Sequence, residues 1–323
     1  MPKTELHDVL IIGGGLAGLS AAVYLGRSRR DTLLVHSNRS MAKWEADAQN
    51  YLGFPEGIDG NELLRLGQAQ VTRFHVGLVE DDIASLKKIG DGTFRAQGGL
   101  HTYAARRVLV ATGLTHLPPE IPGVKDCLGK SLFFCKDCDA FRVQGQRIVI
   151  IGHGNEAADY ALAMLLYSPS VIIATNGTEP HWDADHAGWL SEYRVLVRRE
   201  RICEVKHEEG QLQGFTFDQG ERISVDAAFT TRGDIYHSGL AEGAGASLDD
   251  SGEIIIDAHL NTTVPGLYAA GCVTSANCQM IIAAGQGATA AQAINRDLFE
   301  ECLREHRLPC FGTPLPDGAA GTH

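Results

Sequence analysis

The chain repeats one pattern: a short unbroken apolar run, a glycine-rich turn, a stretch of helical period and a second apolar run. Asp8–Ile12 (DVLII) reads as a parallel strand buried on both faces, Leu19–Arg29 as a helix and Thr32–Val35 as the next strand. The pattern returns about 139 residues later as an internal repeat. Arg147–Ile151 (RIVII) is its first strand, a helical stretch runs on to Leu166 before Ser168-Pro169 breaks it, and Val171–Ala174 is its second strand. Val108–Val110 leads as a strand into Ala111-Thr112-Gly113. Thr262–Gly271 leads into a helix rich in small residues over Ile281–Arg296. Strands alternating with helices predict an α/β fold on parallel sheets.

Both turns carry nucleotide-type glycines. Gly13, Gly15 and Gly18 form G-x-G-x-x-G between a strand and a helix. In that context the first glycine permits the tight turn, the second lets backbone approach a diphosphate and the third lets helix and strand pack closely. The acidic residue expected about 20 positions on, for a ribose hydroxyl, is missing; His36 and Ser37 stand there as polar substitutes. Gly152, Gly154, Asn155 and Ala157 form the second motif, G-x-G-x-x-A.

Composition narrows the class. With 323 residues, 44% hydrophobic and 21% charged, the chain has the makeup of a globular protein of two domains, which excludes collagen, coiled coil and disorder. A net charge of −12 disfavours a nucleic-acid surface. The first apolar run, Val9–Ile12, is far too short to span a bilayer, so no membrane association and a cytoplasmic location are expected. Eight cysteines in such a chain are not read as a disulfide framework. Cys135 and Cys138 form one Cys-x-x-Cys. A structural zinc site needs a second such pair and Cys272 and Cys278 are six apart, so no metal is expected and redox chemistry leads for Cys135 and Cys138.

Taken together these motifs resemble the low-molecular-weight thioredoxin reductase family of flavoproteins, over residues 6–300. The likeness rests on Gly13/Gly15/Gly18, Asn50-Tyr51-x-Gly53-Phe54-Pro55, Ala111-Thr112-Gly113, Cys135-x-x-Cys138-Asp139, the second glycine motif and Tyr268–Gly271. It implies two Rossmann-like nucleotide-binding domains: a discontinuous FAD domain at 1–113 and 247–323, and a central NADPH-domain-like unit at 114–246 carrying the cysteine pair. It also implies a homodimer. FAD contacts would come from Gly13, Gly15, Leu16, Ala17, Gly18, His36, Ser37, Asn50, Ala111, Thr112, Gly113, Gly271, Cys272, Gln279 and Met280. Cys138 would lie nearer the flavin, Cys135 would attack a thioredoxin-like protein disulfide, and Asp139 would move the proton.

Three departures from the family pattern redirect the reading. The segment Ala174–Asp185, where a 2′-phosphate would need cations, has no Lys or Arg and carries Glu179, Asp183 and Asp185. NADPH is therefore not expected as donor. A ferredoxin or a second flavin nucleotide at Gly152, Gly154, Asn155 and Ala157 takes its place. Arg194, Arg198, Arg199 and Arg201, or Arg27, Arg29 and Arg30, offer basic patches for an acidic partner, each read first as a solvated face. His181, Trp182 and Trp189 are read as core or hinge residues ahead of ring-stacking ones. Next, Gly271-Cys272-Val273 stands for the family's Gly-Asp-Val and Cys278-Gln279-Met280 for Arg-Gln-Ala; Cys272 and Cys278 are read as small polar fillers ahead of a second redox pair. Finally, Leu308–His323 reads as an irregular tail, with Phe311 or His306 as aromatics that could cover a flavin. The competing functions are an NADPH-dependent thioredoxin reductase, an oxygen-dependent dithiol oxidase and a non-enzymatic flavin-binding sensor.

Overall fold

A computed structural model of the chain describes residues 5–231 and 233–308. The first sheet opens with β1 (Leu6–Ile12), α1 (Leu16–Arg27) and β2 (Thr32–His36). Each residue of Val9–Ile12 is buried, alternate side chains entering two different apolar clusters, which is why the strand reads as a continuous apolar run. After α2 (Gly60–Arg73) come β3 (Gly77–Glu80), β4 (Ile83–Lys88), β5 (Phe94–Gly98) and β6 (Thr102–Val110). Their order is β3-β2-β1-β6-β5-β4, parallel from β3 to β6 and antiparallel beyond.

The chain then leaves through β7 (Leu114–His116) to a second, five-stranded sheet. This comprises β8 (Leu132–Phe133), then after the short α3 (Lys136–Asp139) β9 (Ile148–Ile151), α4 (Asn155–Met164), β10 (Val171–Ala174), α5 (Ala184–Glu192) and β11 (Leu196–Arg198). An antiparallel flap, β12 (Ile202–Glu208), β13 (Gln211–Phe217) and β14 (Arg222–Ser224), precedes β15 (Ala227–Thr230), which slots between β9 and β8. The return strand β16 (Asp234–Tyr236) pairs antiparallel with β7, so the two crossings between the sheets run side by side. Beyond α6 (Gly239–Gly243), β17 (Leu267–Ala269) rejoins the first sheet beside β6. The first sheet is thus built from both ends of the chain and the second from its middle.

The last helix, α7 (Met280–Arg304), packs on α1; a Cβ on Gly287 would stand 2.0 Å from the Ala17 carbonyl oxygen, so only glycine allows that approach. An ionic network fixes the far end of α7. Arg107 Nε and Nη2 donate to Asp297 (2.6 Å) and Glu301 (2.7 Å), and the Tyr268 hydroxyl donates to Asp297 (3.0 Å). Several expected boundaries move by one or two residues, and two move further. The helix expected at Leu19 begins at Leu16, directly after Gly15, and the one expected to end at Arg296 runs to Arg304 because Leu298 continues its buried stripe. Among the described residues no helix is long and apolar enough to cross a membrane.

Candidate active site

The residues assigned from sequence to the first nucleotide and to the thiol chemistry, Gly18 excepted, line one cavity of about 1290 Å³ at the carboxyl ends of β1, β2, β6 and β17. That is where ligands sit in open parallel sheets. Gly18 lies behind the turn and shapes it: a Cβ there would stand 1.9 Å from the Gly13 carbonyl oxygen, and one on Gly13, at φ +120°, would stand 2.1 Å from that of Ala111. Gly15 is open by contrast, its nearest neighbour for such an atom being Ser40 Oγ at 3.5 Å. Gly15 also caps α1 without any side-chain hydrogen bond, and the first turn holds no acid. The free amides of a 12-residue helix thus end at a cavity wall, and Arg39 and Lys43 also line that cavity. The donors and cations suit a dinucleotide diphosphate. His36 closes the turn, its Cβ and Cγ against Gly14, and burial holds its imidazole below the usual range.

Cys135 and Cys138 enter this cavity from the other sheet. They follow β8, and the segment is pinned by the Tyr160 hydroxyl donating to the Phe134 carbonyl (3.0 Å) and by His116 stacked on Phe134 (4.8 Å). The two sulfurs are joined as a disulfide. Cys135 Sγ accepts from the Cys138 amide (3.1 Å) and from Gln279 Nε2 (3.2 Å), and Gln279 Nε2 lies 3.4 Å from Cys138 Sγ. These donors would stabilise a Cys135 thiolate once the bond opens. Gln279 is held in turn by Asn50, whose Nδ2 donates to its Oε1 (3.0 Å). Sequence reasoning placed Gln279 at the cofactor and missed this contact with the thiols, which needs the two sheets brought together.

Asp139 is buried beside the pair and also lines the cavity. Burial pushes its carboxyl up to about 6, the Glu45 carboxylate adds to the rise, and Arg142, donating to Asp139 Oδ1 at 2.9 Å, opposes it. A carboxyl titrating there can both give and take a proton near neutrality. Glu45 lies 3.7 Å from Arg142 and 94 positions before Asp139 in the chain, and no local signal points to it.

The second glycine motif looks different. Gly152, Gly154, Asn155 and Ala157 lie outside the cavity, and the chain folds its own loop onto them. The His181 amide donates to the His153 carbonyl (2.8 Å), the two imidazoles meet at 3.1 Å, and His181 Nε2 would stand 3.2 Å from a Cβ on Gly154. Asn155 and Asp183 exchange two hydrogen bonds, 2.8 and 2.9 Å. The first turn of α4 carries Glu156, whose carboxyl is pushed up by burial and by Asp234 and Asp159. Trp182 packs on the core of its sheet, as expected, while Trp189 is half exposed, edge-on to His186. The arginine patch is partly consumed: Arg199 pairs with Glu179 (3.1 Å) and Arg198 with Glu221 and Glu200.

Two expectations need revision. Cys272 and Cys278 are not filler thiols: their sulfurs are bonded to each other, so Cys272 has no S–H to offer a cofactor. The loop from Gly271 to Gln279 turns back on itself, which spacing alone does not reveal. His306 is exposed and away from the cavity, and Phe311 lies outside the described residues. Among the described residues no group of three His, Cys, Asp or Glu could hold a metal.

The family model for pyridine nucleotide-disulphide oxidoreductases matches residues 7–293. Similar proteins include a thioredoxin reductase from Treponema pallidum, 29% identical over 89% of this chain and 95% of that one. A bifunctional thioredoxin reductase/thioredoxin from Mycobacterium leprae is 29% identical over 91% of this chain and 66% of its own. Among solved structures, HlmI is 28% identical, covers 94% of this chain and 96% of its own, and superposes with a TM-score of 0.88.

Proposed function

The chain belongs to the pyridine nucleotide-disulphide oxidoreductase family and is a thioredoxin reductase-like, FAD-dependent disulfide oxidoreductase with a Cys-x-x-Cys; from that premise we propose that it reduces a protein disulfide of the thioredoxin class with electrons from a donor other than NADPH. The observation that carries the first half is the Cys135–Cys138 disulfide opening into the cavity of the first glycine turn. We assign 1–113 and 247–323 to the FAD-binding part and 114–246 to the central part. Gly13, Gly15, Leu16 and Ala17 with the α1 amides would hold the diphosphate on a turn that Gly18 shapes from behind, His36 and Ser37 the ribose, and Asn50, Ala111–Gly113, Gly271, Cys272, Gln279 and Met280 the remaining wall. FAD, when bound, supplies a two-electron carrier. In the reduced chain the Cys135 thiolate, stabilised by the Cys138 amide and Gln279, attacks the substrate disulfide. Cys138 resolves the mixed disulfide, and Asp139 holds and releases the proton. The fused thioredoxin of the similar Mycobacterium leprae protein supports thioredoxin as the partner class.

The donor half rests on the second glycine turn. A dinucleotide there would displace His181 and the Asn155–Asp183 bonds and place its phosphates among Glu156, Asp159, Asp183 and Asp234. The same closure stands against a second flavin nucleotide at that turn and leaves a reduced protein donor of the ferredoxin class, for which Arg194 and Arg201 remain exposed. The test is anaerobic flavin bleaching with NADPH, NADH and reduced ferredoxin in turn. Bleaching by ferredoxin and slow or absent bleaching by both pyridine nucleotides is expected; fast bleaching at micromolar NADPH overturns the donor assignment.

A further inference from the structure

The cavity lined by Cys135 and Cys138 is also lined by a second disulfide, Cys272–Cys278. We propose that Cys272–Cys278 is a second redox-active pair, reduced by thiol–disulfide exchange with the Cys135/Cys138 dithiol, so that the chain stores two further electrons at its active site. The proposal rests on the electron path through Cys135–Cys138 argued above.

Location is the first argument. Cys278 is the chain neighbour of Gln279, whose amide reaches both sulfurs of the other pair, at 3.2 and 3.4 Å. Both Cys272 and Cys278 are half-buried rather than sealed, and both line the cavity. The second argument is pairing: among the described cysteines the four whose sulfurs meet are the four that line the cavity, while Cys127, Cys203 and Cys302 lie outside it and are unbonded. The third is that a structural role is weakly supported. The bond closes a loop of only six residues, the case in which a cross-link removes least entropy from the unfolded chain. That loop is already tied down: the Gly271 amide donates to Gln286 Oε1 (2.6 Å), Thr274 Oγ1 to the Gly271 carbonyl (2.8 Å), and the Ile254 amide to the Val273 carbonyl (2.9 Å). The fourth is sequence: of the three positions where this chain departs from the family's Gly-Asp-Val and Arg-Gln-Ala, Cys272, Cys278 and Met280, two are cysteines, and their side chains meet.

The step balances. A thiolate of reduced Cys135/Cys138 attacks one sulfur of Cys272–Cys278; that S–S bond breaks as a mixed disulfide forms between the pairs. The remaining thiolate of the first pair attacks the mixed disulfide, closing Cys135–Cys138 and leaving Cys272 and Cys278 as thiols. Two electrons and two protons pass from one pair to the other.

The test is an anaerobic titration of the FAD-loaded full chain with dithionite, with samples alkylated at each step and labelled cysteines located by mass spectrometry. Label is expected on Cys272 and Cys278 in parallel with Cys135 and Cys138, and the chain should take up about two more electrons than Cys272→Ser/Cys278→Ser. In Cys135→Ser/Cys138→Ser, Cys272 and Cys278 should stay unlabelled while the flavin bleaches. Label confined to Cys135 and Cys138 overturns this inference and leaves the proposed function standing. Label reaching Cys272 and Cys278 equally fast without the first pair overturns the exchange route. No label on Cys135 and Cys138 overturns both readings.

Discussion

Replacing Asp139 with Asn removes one carboxyl and keeps its shape. The side chain is 6% exposed, beside the disulfide, and its carboxyl is pushed up to about 6, first by burial and then by Glu45, against the pull of Arg142. At pH 7 such a group is protonated in about one molecule in ten, against about one in 1,600 for an ordinary Asp at 3.8. The environment thus makes the proton about 150-fold more available, at a cost on the order of 3 kcal/mol for keeping the ionised form buried. General acid catalysis contributes about 10²–10⁴-fold, so D139N should slow thiol–disulfide transfer by about 10²–10³. Stopped-flow mixing of reduced enzyme with oxidised thioredoxin between pH 5 and 8 reads the step. The wild-type rate should fall as pH rises through about 6, that limb should vanish in D139N, and Glu45→Gln should move it to lower pH. Because the folded protein holds this proton more tightly than the unfolded chain, its contribution to stability is present below about 4 and lost as pH rises through about 6. D139N lacks that dependence, so unfolding at pH 7 does not explain its lost activity. A variant with the wild-type rate and limb would refute the reasoning.

Two further outcomes follow from the same geometry. Gln279→Ala removes the amide facing Cys135 Sγ and Cys138 Sγ; a hydrogen bond to a charged group is worth about 1.5–3 kcal/mol, so the midpoint of iodoacetamide alkylation of reduced Cys135 should move at least about 1 pH unit higher. An unchanged midpoint removes Gln279 from thiolate stabilisation. Arg107→Ala strands Asp297 and Glu301 at the β6–α7 junction and should cost about 3 kcal/mol in denaturant unfolding at pH 7. Although burial pushes both carboxyls up, Arg107 for Asp297, and Arg106 with Arg107 for Glu301, hold them below their ordinary range; the stabilisation is present above that range and lost as pH falls through the depressed values. The gap between wild type and R107A should therefore close in acid; a gap that persists contradicts the ionic account.

What the sequence made legible was local. Asp8–Ile12, the glycine turn and the following helix are one contiguous βα unit, so pattern and turn chemistry point the same way, and the structure differs only in the element ends, β1 starting at Leu6 and α1 running Leu16–Arg27. The cysteine pair and Asp139 were legible for the same reason, being neighbours in the chain. The tuning of Asp139 was not, because Glu45 reaches it through the tertiary fold. Gln279 was assigned to the first sheet's cofactor wall, and only the approach of the second sheet puts it on the sulfurs. Missing cations after Val171–Ala174 could be read directly, but not that His181 and Asp183 fold back onto the glycine turn. The Cys272–Cys278 bond stayed hidden because six residues of spacing suit a turn and an extended loop equally, and the choice is made by the anchors at Gly271 and Val273.

The account stands on electrons leaving through Cys135 and Cys138. One measurement addresses that directly: FAD-loaded enzyme, reduced anaerobically with stoichiometric dithionite, is mixed with oxidised thioredoxin, and flavin reoxidation and new thioredoxin thiols are followed in a single turnover, in wild type and in Cys138→Ser. The account predicts fast, matched appearance of both signals in wild type and, in the variant, a flavin that stays reduced with no new thiols. Reoxidation and thiol formation at the wild-type rate in Cys138→Ser would contradict it.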